Sequence, residues 1–385
     1  MITEIDCRDL DRNDPLAFVR DRFDLADSVI YLDGNSLGPP VRAVAETMNG
    51  LANDWQRMLI RGWWDAGWVD LPRRVGDLIA PLIGAGPGTV VCTDSTSINL
   101  YKAVVAATQL VEGDILTDSG NFPSDLYVLG SVAELTGRRL RIVDPEQVDE
   151  SIEAGVVSLT QVDFRTGRRH DLPALTARAH EAGALIVWDL SHSAGAMPID
   201  LDRYGVEMAV GCGYKYLNGG PGAPAFIYVR EDLELTNPIN GWFSHRAPFD
   251  FDPAYEPATG IDQMRSGTPH VISMAVLEIA LSAFDGIDMR AVRAKSEALT
   301  GAFIEMVSDL GEVLTPTEPA LRGSQVSLRI EGAEDLINDL HQIGIIGDYR
   351  PPNVARFGFA PLYIRYIDVW NAAMAIREWR QETSR

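Results

Sequence analysis

The chain has 385 residues, 46% hydrophobic and 23% charged, a globular composition with apolar material for about two domains. With 55 acidic against 33 basic side chains, its formal net charge of −22 opposes binding to nucleic acid or anionic membranes. Cys7, Cys92 and Cys212 are too scattered for a disulfide framework or zinc knuckle, the acidic start MITEIDCRDLDRND is unlike a secretory signal, and no apolar run reaches the ~20 residues of a membrane span, so a reducing cytoplasm is expected and no metal site.

From about Val90 to Val229, short β-branched runs alternate with helical stretches, the pattern of a mostly parallel sheet with helices on its faces. The expected strands are Val90 to Cys92, Asp114 to Thr117, Leu140 to Val143, Val156 to Thr160, Leu185 to Trp188, Met208 to Cys212 and Ala225 to Val229. Ligands in such α/β sheets lie beyond the carboxyl ends of the strands, so the residues that follow each run are the first candidates for chemistry. The stretch Asn237 to Pro269 is rich in Pro, Gly and aromatics and too long for a plain connection, which marks it as a functional loop. A smaller α+β unit begins near Ile287, with a strand at Gln325 to Ile330, a helix at Glu334 to Ile343 and a final helix from Asp368. The expected division is an N-terminal segment 1–39 packing with the small domain, a large domain 40–286, and a small C-terminal domain 287–385.

After the first of these strands, DSTSINLYKAVVAATQ reads as an amphipathic helix preceded by Ser95, Thr96 and Ser97. Hydroxyls and free N–H groups there suit an N-cap and equally suit an anionic phosphate. After the next strand, GNFPSD places Phe122 in a loop, with Ser124 and Asp125 opening a helix. Phe122 either staples that helix to the core or offers a flat face to a planar ring. ALIVWDLSHSAG ends an apolar run on Asp189, with His192 close behind. A carboxylate buried there needs a partner, either a loop N–H that it caps or a protonated ring nitrogen. In GCGYKYLNGGPG, Lys215 lies between Tyr214 and Tyr216 in a glycine-rich turn, either an ordinary loop lysine or one that attacks a carbonyl.

Together, a phosphate site, a stacking aromatic, an aspartate for a pyridinium and a lysine in a glycine turn are the contacts that pyridoxal 5′-phosphate requires. Their order resembles the aspartate-aminotransferase-like fold, fold type I of pyridoxal-phosphate enzymes. The resemblance narrows to the kynureninase family, and covers nearly the whole chain, through YLDGNSLG, LIRGWWDAGW, TDSTSINLYK, NFPSDLY, WDLSHSAG, GYKYLNGGPG, GWFSH, SGTP, IGDYRPP and RFGFAPLY.

The resemblance implies that Lys215 carries the cofactor covalently, that Tyr214 contacts its phosphate and relays protons, and that Asp189 pairs with the pyridine nitrogen, with His192 beside the ring and Phe122 stacked on it. Thr96, Ser97, Ser124, Asp125 and Thr160 match further cofactor-contacting positions. Trp242 and Thr268 match phosphate contacts that the family supplies from a second subunit, which implies a homodimer with shared sites. Arg356 matches the clamp on the substrate α-carboxylate, a task that suits the bidentate guanidinium, and Trp63 and Ser36 fall on substrate-binding segments. Without the family, Arg356 reads as a surface charge and Trp63 as packing among Trp63, Trp64 and Trp68.

The implied reaction is hydrolysis of L-kynurenine at Cβ–Cγ to anthranilate and L-alanine, in tryptophan catabolism. The pocket resembles bacterial members; animal members that prefer the 3-hydroxylated substrate carry Asn where this chain has Thr268 and have His in the early loop near Trp63. Among alternatives, a desulfurase needs a mobile cysteine late in the chain, and none follows Cys212. A class V aminotransferase shares the cofactor cradle. A non-catalytic sensor of the cofactor would need a DNA-binding module, for which the acidic N-terminus leaves only about 30 residues.

Overall fold

The computed structural model describes residues 2–383. Its strands in chain order are β1 (Ile30–Tyr31), β2 (Val90–Cys92), β3 (Asp114–Asp118), β4 (Leu140–Val143), β5 (Gly155–Thr160), β6 (Leu185–Asp189), β7 (Met208–Cys212), β8 (Ala225–Val229), β9 (Glu312–Val313), β10 (Gln325–Arg329), β11 (Ile345–Ile346), β12 (Asp348–Arg350) and β13 (Val354–Gly358). Seven of them form one sheet in the order β2-β8-β7-β6-β5-β3-β4. Only β8 runs against the others, pairing antiparallel with both β2 and β7.

Apart from the edge strand β4, whose Ile142 is exposed, these strands read as largely apolar runs because both faces are covered. Side chains alternate between the faces: on β6, Ile186 and Trp188 enter one core cluster and Val187 the other. Trp188 is fully enclosed, and its indole N–H donates to Thr176 Oγ1 at 3.1 Å, so its polar edge is satisfied. Truncation to Ala would cost about 3–5 kcal/mol. The helix Thr96–Leu110 departs from the amphipathic expectation. It packs against both the sheet and the helix Pro123–Thr136, and Asn99, Leu100 and Lys102–Thr108 are all buried.

A second sheet, β12-β13-β10-β9, is antiparallel and is covered by the helices Met289–Val307, Ala333–Gln342 and Tyr366–Thr383. The N-terminal segment joins this region. β1 pairs with β11 in parallel, Ile30 opposite Ile345, and the helix Glu4–Arg12 packs on the final helix. Beyond β1 the chain returns to the large sheet, where Gly38 N–H donates to Tyr214 O at 2.7 Å. A Cβ on Gly38 would stand 2.3 Å from Lys215 O, so only glycine allows this approach.

Candidate active site

A cavity of about 400 Å³ opens at the carboxyl ends of β2, β3, β5, β6 and β7. Thr96 and Ser97 enter it from the start of a helix, Phe122, Ser124 and Asp125 from the start of another. Thr160 and Asp189 are the last residues of β5 and β6, and His192, Tyr214 and Lys215 follow β6 and β7. Ten residues singled out in the sequence therefore share one wall.

Ser95, not Thr96 or Ser97, caps the first helix, accepting from Ile98 N–H at 3.5 Å. The next two hydroxyls are left facing the cavity beside the free N–H groups of the helix end. Phe122 sets its ring edge-on to Phe164 at 4.9 Å, and Lys215 Nζ lies 5.9 Å from the Phe122 ring centre and 5.8 Å from that of Tyr214. Of the glycines after Lys215, Gly219 is required by the protein's own packing, since a Cβ there would meet Gly213 O at 2.7 Å. Gly222 lines the cavity with a positive φ of 78°.

Asp189 Oδ1 accepts from Ser191 N–H at 2.7 Å. Burial pushes the Asp125 carboxyl well above the usual range, and the neighbouring Asp189 carboxylate, with which it shares a hydrogen bond, pushes it the same way against the opposing pull of Lys215 and Ser124. Its Oδ2 is buried without a partner among the described residues. Burial drives the His192 ring well below its ordinary value, with Lys215, Arg356 and Arg350 adding to the effect, so the ring is neutral. Lys215 Nζ lies 2.9 Å from its Nε2, and a donating amine there leaves the ring proton on the enclosed Nδ1. Tyr214 is likewise held neutral, its hydroxyl pushed up by burial and by the nearby Cys212 and Asp189.

Five expected residues stand outside this wall. Arg356 is buried to 1% exposure behind Phe164, whose carbonyl accepts from Nη1 at 2.6 Å. Its Nε donates to Asp348 Oδ1 at 2.8 Å, and Nη2 donates to Ser36 Oγ at 2.7 Å and to Asp348 Oδ2. Ser36 in turn donates to Asp348 at 2.8 Å. Trp63 and Thr268 line a separate apolar pocket of about 460 Å³, and Trp242 donates its indole N–H to Thr268 Oγ1 at 3.3 Å.

Sequence reasoning missed several supporting residues. Asn121 takes Thr160 Oγ1–H at 2.5 Å and Phe122 N–H at 2.7 Å on one oxygen, fixing both. Phe164 lines the cavity beside Phe122, Asp348 holds the arginine, and Asp33 completes the arginine's surroundings. Burial and then the Asp348 carboxylate raise Asp33 to about 7, against the opposing pull of Ser36, Arg356 and Arg350, and its Oδ1 has no partner among the described residues. The acidic residue in IGDYRPP was the available signal for Asp348; nothing local marks Asn121 or Phe164.

Residues 292–376 match the model of the kynureninase C-terminal domain. The chain is 45% identical over 397 residues to the kynureninase of Pseudomonas fluorescens, spanning 98% of this chain and 95% of that protein. It is also 45% identical over 390 residues to the kynureninase of Burkholderia pseudomallei (strain 1106a), spanning 96% and 93%. The chain belongs to the kynureninase family. Among solved structures, the apo cysteine desulfurase of Thermococcus onnurineus NA1 superposes with a TM-score of 0.81 over 95% of this chain and 98% of that one. At 20% identity that likeness concerns the fold, which is the expected fold type I architecture. In this kynureninase-family chain all three cysteines are buried, so the shared fold does not bring a mobile thiol with it.

Proposed function

We propose that this chain hydrolyses the Cβ–Cγ bond of L-kynurenine to anthranilate and L-alanine, with pyridoxal 5′-phosphate bound at Lys215. The observation that carries the reading is the convergence on one cavity of the Lys215 amine, the Asp125–Asp189 pair and a helix N-terminus with two free hydroxyls. These groups fit the cofactor. Thr96 and Ser97 suit its phosphate, Phe122 its ring face, and Asp189 its protonated nitrogen, while the unpartnered Asp125 Oδ2 has an acceptor to spare for a ring substituent.

When bound, the cofactor supplies an electron sink for the pair left at the substrate's α-carbon. Lys215, freed by the incoming substrate amine, removes the α-proton and returns it, with neutral His192 at 2.9 Å receiving a hydrogen bond from its amine. Water delivers hydroxide to the aryl ketone carbon and a proton to the β-carbon as their bond breaks. Tyr214 keeps its proton at neutral pH, which supports the reading that it relays protons. Arg356 orients the α-carboxylate. Since Asp348, Ser36 and the Phe164 carbonyl engage four of its five N–H groups, a bidentate carboxylate reaches it by displacing Ser36 and Phe164 O, while Asp348 holds the remaining edge.

Trp242 and Thr268 are read as serving the site of a second copy in a homodimer, with Trp63 on the same face. Exposed Trp55, Leu59, Ile60 and Trp64 near that pocket support a surface that is covered on association. The domain division 1–39, 40–286 and 287–385 is kept, and a cytoplasmic setting accords with the absence of any described helix long and apolar enough to cross a membrane. The test is to add L-kynurenine and pyridoxal phosphate to the purified protein and follow anthranilate fluorescence. A cofactor-loaded protein that makes none defeats the reading. Values of kcat/KM for L-kynurenine and its 3-hydroxy derivative should favour the former.

A further inference from the structure

Lys102 is a charge at 0% exposure on the helix Thr96–Leu110, a position that costs several kcal/mol unless the ammonium is fully partnered. It is partnered twice, donating to Asp94 Oδ2 at 2.8 Å and to Met264 O at 2.6 Å. The same Asp94 oxygen accepts from the hydroxyls of Thr93 and Ser266, each at 3.0 Å. Burial pushes the Asp94 carboxyl up, but Lys102 and these hydrogen bonds more than offset it, so Asp94 stays ionised.

Asp94 adopts a left-handed φ of 48°, uncommon for a residue with a side chain, and it lines the cavity immediately before Ser95, Thr96 and Ser97. The other end of the network lies in the long loop. Phe243 N–H donates to Ser266 O at 3.2 Å, and Gly241 packs so closely that a Cβ would stand 2.1 Å from that oxygen. Trp242 then reaches Thr268. An unbroken series of contacts thus runs from the anion-binding turn, through a buried ion pair, to the loop that carries Trp242 and Thr268.

We propose that Lys102, Asp94 and Ser266 form a joint that sets the Ser95–Ser97 turn from the Trp242–Thr268 loop, coupling cofactor binding to association with a second copy of this chain. The proposal rests on the reading that Trp242 and Thr268 serve a partner's site. The three are positioning residues. Lys102 also cancels the charge of a carboxylate that would otherwise face the cofactor's phosphate dianion unpaired. By linkage, whatever association does to cofactor affinity, the cofactor does equally to association.

The test compares the full-length wild type with Ser266→Ala, which removes one hydroxyl and no charge. Equilibrium dialysis gives the pyridoxal phosphate dissociation constant, and energy transfer between differently labelled copies, followed over protein concentration, gives the dimer dissociation constant with and without cofactor. The cofactor should lower the dimer dissociation constant on the order of tenfold in the wild type, and Ser266→Ala should lose most of that gain at saturating cofactor. An equal shift in both proteins overturns the joint, as does a wild-type dimer dissociation constant that ignores the cofactor. An active wild type that never associates defeats the shared-site reading and this proposal with it. Lys102→Met should bind the cofactor at least about tenfold more weakly than Lys102→Met/Asp94→Asn, a rescue that a packing role would not produce. Equal affinities for these two variants overturn the electrostatic part.

Discussion

Replacing Asp33 by Asn should stabilise the protein increasingly as pH rises from 5 to 8. Asp33 faces Asp348 and Arg350 on β12, Arg356 on β13 and Ser36 on its own loop, and burial with the Asp348 charge carries its carboxyl from 3.8 to about 7. A carboxyl raised in the folded state binds its proton more tightly folded than unfolded. Stability is therefore unaffected below the unfolded value, declines as pH climbs between the two values, and levels off above the folded one. From pH 5 to about 7 this spans two tenfold steps, at most about 3 kcal/mol at ~1.4 kcal/mol each. Asp33 is half-buried, and solvent screening reduces the effect to roughly 1.5 kcal/mol. Asn has no such titration. Urea denaturation of both proteins at several pH values, with the slope checked for constancy, measures the difference. A constant offset would reflect lost hydrogen bonds; a gap that fails to widen with pH refutes the argument about Asp33.

In Lys215→Ala, borohydride treatment should leave no cofactor adduct on the chain by mass spectrometry, and a persistent adduct would mean that another amine holds the cofactor. Tyr214→Phe should lower kcat roughly 100-fold while the bound cofactor keeps its visible absorbance; unchanged turnover removes Tyr214 from the proton path. Arg356→Lys keeps the charge but loses the fork, so KM for L-kynurenine should rise about 30-fold, equivalent to roughly 2 kcal/mol. A comparable fall in kcat at unchanged KM would argue that Arg356 serves the chemistry instead.

Most strands of the large sheet were legible because enclosure on both faces writes short, largely apolar runs, and the ends missed were polar residues or glycine, as at Asp118, Asp189 and Gly155. The reversed direction of β8 was not legible, since its AFIYV run reads the same either way. Most residues that meet the cavity directly stood out because they follow strands, whereas Phe164 lines it without such a mark. The supporting residues did not stand out. Asn121 looks like a turn residue until Thr160 arrives from β5, and Lys102 looks like a solvated helix position until the helix is seen between sheet and neighbour. Arg356 was expected at the site but not its sequestration by Asp348 and Ser36, which joins residues far apart in the chain.

The pairing of β1 with β11 also sets an order of events during synthesis. Ile30 has no strand partner until Ile345 has been made, and from β1 the chain runs on to Gly38 and the backbone of the Tyr214–Lys215 turn. A ribosome releases the first of these residues long before the last. The segment from β1 to Gly38 is therefore held at both ends only when nearly the whole chain has emerged, and a truncated product lacking β11 leaves β1 without its strand partner.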